Sequence, residues 1–266
     1  MHAWVAASVS FFVYVAVVSL FLRDMPRRRR GLAIGGAATG LLVSAAAHLL
    51  PHHAFLHGWI LPPVTLVLAY WTSGLLYIAP MPRAERALEA VDAFLGIDDV
   101  AAAAPRWLAE LLEVAYASIY PLIPVALVVY LLTDSTAHAD RFWTVILVTD
   151  FICFGFLPWV QTLPPRARRV NDPWVATVRR VNLTLLGNTS IQANTFPSGH
   201  AGEAVAVALL VANAPWMVAA WMGCHAVLIS AGAVLGRYHY AADAVAGWAV
   251  AFCVWALVVS FSGTLP

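Results

Sequence analysis

The sequence predicts an all-α, polytopic membrane protein, a bundle of about eight transmembrane helices. Two observations predict it. Of 266 residues, 62% are hydrophobic and only 11% charged, about half the charged share of an ordinary soluble domain. The apolar residues also fall in long runs, and about 20 such residues in a helix span a bilayer. The net charge of +1 gives no reason to expect a nucleic-acid partner; the expected partners are lipids.

The first run covers residues 4–22 and is followed by Arg27, Arg28, Arg29 and Arg30, a topology signal. The second, 31–50, carries Gly31, Gly35, Gly36 and Gly40 at a small-xxx-small spacing that favours close helix packing. The third is 59–79. Residues 80–106 are charged, but Ala87, Leu88, Val91, Phe94 and Leu95 recur at helical spacing, which predicts a helix lying on the membrane surface. The fourth and fifth runs are 108–132 and 142–163. A polar stretch, 164–197, holds Arg166, Arg168 and Arg169, which suit interfacial anchoring or, for Arg166, phosphate binding. It also holds Arg179 and Arg180, expected headgroup contacts. The last three runs are 199–213, 216–235 and 240–261.

All fifteen basic residues are arginine, so lysine chemistry is excluded and any phosphate clamp must use Arg. Cys153, Cys224 and Cys253 lie in apolar runs and read as small core residues. His48 and His52 have i, i+4 spacing, but no cysteine or carboxylate stands near them in sequence, so no metal site is expected. No cofactor is expected either.

Two short stretches carry chemistry. Pro197-Ser198-Gly199-His200 sits where a polar loop becomes an apolar helix. Ser198 is a good N-cap, Gly199 lets an anion approach the backbone, and free N–H groups at a helix start attract that anion. Forty residues on, Arg237-Tyr238-His239-Tyr240-Ala241-Ala242-Asp243 opens the last run. His239 and Asp243 are four apart, hence on one helical face. A carboxylate beside an imidazole fixes its tautomer and keeps it nucleophilic. Both runs begin at the same membrane face, so the two histidines can meet across one phosphate. The expected roles are His239 as nucleophile, His200 as general acid and then base, and Asp243 orienting His239. Arg166, Ser198, Gly199 and Arg237 would bind the phosphate. Glu203, one turn below His200, would tune that histidine, line a lipid entrance or pack against a neighbouring helix.

At these residues the chain resembles the type 2 phosphatidic acid phosphatase (PAP2) superfamily. Phe196-Pro197-Ser198-Gly199-His200 is similar to its second motif, His239-Tyr240-Ala241-Ala242-Asp243 to the end of its third, and Leu163-Pro164-Pro165-Arg166 to a remnant of its first. The resemblance implies a six-helix catalytic core, here 57–266, preceded by two additional helices in 1–56. It also implies a metal-independent phosphatase or phosphotransferase that uses a phosphohistidine. The family's lysine is missing, and Gly232 and Ala233 stand where it has Ser-Arg. This thinner set of cations, with Glu113, Tyr116 and Tyr120, resembles the inositol phosphorylceramide synthase-like branch.

The expected function is hydrolysis of a phosphorylated lipid, phosphatidate or an isoprenyl (di)phosphate. The alternatives are transfer of the phosphoryl headgroup to an alcohol, or a transporter or inactive scaffold. A multi-pass protein of a bacterial inner membrane is expected. Nearly all arginines fall on the face of the site, which the positive-inside rule makes cytoplasmic. The resemblance implies an extracytoplasmic site, so the orientation stays open.

Overall fold

The computed structural model describes residues 2–50, 53–133, 138–168 and 174–262. Arg169, and the His52 that would complete a pair with His48, lie outside them. Among the described residues there are twelve α-helices and no strand. Every apolar run forms helix, and four helices are long and apolar enough to cross a membrane: α1 (Ala3–Phe21), α2 (Arg27–Leu49), α11 (Trp216–Leu235) and α12 (Ala241–Ser262).

The other four runs are shorter or broken, for local reasons. A π-helical turn, Leu56–Ile60, leads into α3 (Leu61–Gly74). The fourth run splits into α6 (Arg106–Ala117) and α7 (Ile119–Thr133), bent by 60°. Pro121 has no N–H for the Ala117 carbonyl, so the ladder breaks at the end of α6, whereas Pro124 lies inside α7. α8 (Ala139–Gly155) stops earlier than its apolar run, and α10 (Gly199–Leu210) has only 12 residues, about 18 Å.

α8 is the axis of the bundle. It packs against α1, α3, α7, α10 and α12, and Phe142, Trp143, Val145, Ile146, Leu147 and Phe151 are all buried along it. A helix apolar on every side belongs in such a position.

Contacts sort the helix ends onto two faces. On one, the His2 and His57 rings lie 4.7 Å apart, and Asp140 at the start of α8 accepts the N–H groups of Ala3 and Trp4. On the other, Arg29 donates to the Gly74 carbonyl, and Gln161 accepts from Ile78 and Ala79. Residues 27–30 therefore share a face with the ends of α3 and α8.

The glycines of α2 divide. A Cβ at Gly36 would stand 2.7 Å from Thr72, and one at Gly40 would collide with the Phe12 ring, whereas Gly31 and Gly35 face open space. Only two of the four serve close packing. The cysteines divide too: Cys153 is buried, but Cys224 and Cys253 are exposed, so those two are not core residues.

The charged stretch forms two helices, α4 (Pro82–Phe94) and α5 (Ile97–Ala103), separated by Gly96 at φ 62°. α4 turns its acids inward. Glu85 and Asp92 are buried with Leu88, while Phe94 is 89% exposed. Glu85 and Glu89 pair with Arg168, which is thus held by protein carboxylates. The polar face of α4 grips the bundle, and its apolar face is left for lipid.

Candidate active site

The site forms where α10 and α12 begin. Ser198 caps α10, its Oγ accepting the Ala201 N–H at 3.3 Å. Its own N–H donates to the Asp243 carbonyl at 2.9 Å. The helices touch backbone to backbone: a Cβ on Gly247 would strike the Ser198 carbonyl, and one on Gly202 would stand 3.2 Å from the Gly247 carbonyl. This crossing has a physical result, since it holds both helix starts side by side.

The His200 and His239 rings are 6.2 Å apart, centroid to centroid. His239 Nδ1 faces Asp243 Oδ2 at 3.5 Å. Asp243 is fully buried, and its Oδ2 also accepts the Tyr240 N–H at 2.8 Å. The carboxylate is therefore fixed from the backbone side. The structure brings the three expected catalytic residues together.

The expected phosphate ligands separate. Among the described residues, the Gly199 and His200 amides donate to no backbone acceptor, as the first turn of a helix leaves them. Arg166 lies over the Tyr238 ring, 5.2 Å from its centroid, and its charge acts on His200. Among the described residues no carboxylate pairs with Arg166. Burial lowers its pKa, while Tyr116 and Tyr238 oppose that shift.

Ser198 and Arg237 are engaged elsewhere. Ser198 is fully buried, with Oγ and N–H spent on the cap. Arg237 is 1% exposed, and its guanidinium is bound by Asp98 of α5, with Asp92 of α4 at 3.8 Å. Its backbone takes the left-handed conformation at φ 61°, closing the end of α11, where Tyr238 and His239 both donate to the Ala233 carbonyl. Its carbonyl accepts the Arg166 N–H at 3.0 Å. Arg237 builds the turn that presents His239, and its side chain ties α4 and α5 to that turn.

A buried network behind the site was not expected from the sequence. Glu113 of α6 accepts from Trp174, Arg179, Asn182 and the Tyr238 hydroxyl. Arg179 is therefore an interior ion-pair partner and not a headgroup contact. It reaches in from α9 (Thr177–Thr189) and also donates to the Gly236 carbonyl. Burial, then the Glu113 charge, raise the Tyr238 pKa far above its ordinary value, so the phenol stays a neutral donor. Tyr238 stacks on Tyr116 at 4.1 Å, and Tyr116 stacks on His200 at 5.2 Å. Tyr120, just past the bend, brings its hydroxyl to 3.4 Å from His200 Nε2. The bend of this span places two tyrosines, one on each side of it, against the histidine.

A separate cavity of about 140 Å³ lies behind Tyr240, lined by Glu89, Asp92, Asp98 and Arg168. Its acids are paired, Glu89 with Arg168 and both aspartates with Arg237.

The bundle brings a pair of histidines together at one end, and its sequence matches a family of membrane phosphatases and phosphotransferases. The chain belongs to the PAP2 superfamily, whose model matches residues 86–257, from α4 to α12. No curated protein and no solved structure matches the chain.

Proposed function

We propose that the protein is a lipid phosphatase, cleaving phosphate from phosphatidate or an isoprenyl phosphate or diphosphate by way of a phosphohistidine. The observation that carries the reading is the 6.2 Å approach of His200 and His239 at one membrane face, beside an Arg166 free of any carboxylate among the described residues. On this reading residues 57–266 form the catalytic core and residues 1–56 add two helices.

The phosphate sits at the start of α10, against the Gly199 and His200 amides, with Arg166 on its flank. His239 Nε2 attacks phosphorus with its lone pair, and Asp243 takes up the charge that develops on the ring. The bond from phosphorus to the lipid oxygen breaks, and His200 gives that oxygen a proton. Water then attacks the phosphohistidine while His200 takes its proton back. The P–N bond breaks, and inorganic phosphate leaves. Arginine and amides supply the positive field, so the scheme includes no metal.

Purified protein, offered phosphatidate and polyprenyl phosphates without added metal, is the test. Phosphate release is expected from at least one, with a loss of about 10⁴ in His239→Ala. Release undiminished in that variant would exclude His239 as nucleophile. Radiolabelled lipid offered with an alcohol reports on the other acceptor: a labelled lipid product in place of free phosphate would make the protein a phosphotransferase.

A further inference from the structure

Asp150 of α8 is fully buried, and neither carboxyl oxygen meets a donor. The other buried acids differ. Glu85 accepts from Leu163 and Arg168, Asp92 from Ala241, Glu113 from four side chains, and Asp243 from Tyr240. Asp150 meets only another acid, the Glu203 carboxyl of α10, at hydrogen-bonding range. Two bare carboxylates in contact inside an apolar span repel each other with little solvent to screen them. A hydrogen bond between them needs a proton.

The pair lies against the phosphate site. A Cβ at Gly199 would come within 2.9 Å of Asp150 Oδ1, so the carboxyl packs on the backbone whose amide faces the phosphate. A full charge there would compete with the anion for the helix N-terminus. The titratable and charged groups on elements packed against the pair are Asp140, Arg141 and Cys153 on α8, His200 on α10, Tyr14 on α1, His57 in the π-helical turn, Tyr70 on α3, Tyr120 and Tyr130 on α7, Cys224 and His225 on α11, and Asp243 and Cys253 on α12. The one permanent cation among them, Arg141, stands at the start of α8, more than two turns from Asp150.

We propose that Asp150 and Glu203 share one proton and act as a positioning pair, seating the start of α10 through Gly199 while sparing the phosphate a second carboxylate charge. This rests on the phosphoryl-transfer reading above. The proton stays within the pair throughout the reaction. Raising the pH removes it, adds a negative charge beneath the anion and lowers activity.

Infrared spectroscopy of the purified protein at neutral pH, with no substrate, tests the protonation. A carboxylic-acid C=O band is expected in the wild type and absent from Asp150→Asn/Glu203→Gln. Identical spectra would overturn the proposal. Kinetics test the positioning. Asp150→Ala is expected to lower kcat by about tenfold or more with a small change in KM. The paired amides, which keep shape and hydrogen bond, are expected to restore kcat and abolish the alkaline decline. Amides that fail as badly as alanine, in protein of wild-type melting temperature, would also overturn it. Should the amide pair not fold, Glu203→Gln alone is expected to shift the band and move the alkaline decline, and an unchanged band and profile would count against the pair. If the band appears as expected while His239→Ala still releases phosphate, the shared proton stands and the functional reading falls.

Discussion

His200, His239 and Asp243 meet because two helix starts are locked together by the Ser198 N–H to Asp243 carbonyl bond. Their meeting was legible in the sequence, since polar residues at the rim of an apolar run carry their reason locally. Arg237 was not legible. Its partner Asp98 is 139 residues away, and its left-handed φ replaces the glycine that usually ends a helix. The two arginines should therefore behave differently on substitution. Arg166→Ala is expected to lower kcat/KM by about 10²–10³, as for a lost donor to developing charge, with little change in melting temperature. Arg237→Ala is expected to cost about 3 kcal/mol of stability, the low end for a broken buried pair because Asp98 is half-exposed. Thermal unfolding beside phosphate-release kinetics separates the two effects.

Between elements, the geometry depends on a few close backbone crossings. Gly247 lets α12 reach the Ser198 carbonyl, and Gly40 receives the Phe12 ring. Gly247→Val is expected to part α10 from α12 and to abolish activity even in protein that still folds. In α2, Gly40→Val should lower the melting temperature and Gly31→Ala should not, since only the first position meets a neighbour. Sequence spacing grouped all four α2 glycines together, because a small-xxx-small pattern says which residues share a helix face but not which face finds a partner. The bend between α6 and α7 was written in Pro121, yet hydropathy averages over prolines and reports one straight span. The Glu113 network had no local signature, as its donors come from α9 and from the turn before α12.

For the molecule as a whole, the surface helices, the arginine-rich start of α2 and the active site fall on one face. Hydropathy alone conveyed the all-helical membrane architecture, and the alternation of runs conveyed which loops share a side. It overstated span length, because apolar residues continue past Gly155 and Leu210 where the helices stop. Single cysteines introduced at Arg28 and at His53, in a background lacking Cys153, Cys224 and Cys253, test the sidedness with an impermeant thiol reagent. Arg28 and a cysteine at Arg168 are expected to label from the same side, and His53 from the other. The positive-inside rule assigns the Arg28 side to the cytoplasm. Labelling of Arg28 and Arg168 from opposite sides would break the topology.

The central claim is that His239 carries phosphate. Mixing purified protein with a ³²P-labelled lipid phosphate and quenching in alkali, where a phosphoramidate survives, measures this directly. The account predicts label on the wild-type chain that is released by acid and is absent in His239→Ala. Label that persists in His239→Ala would contradict it.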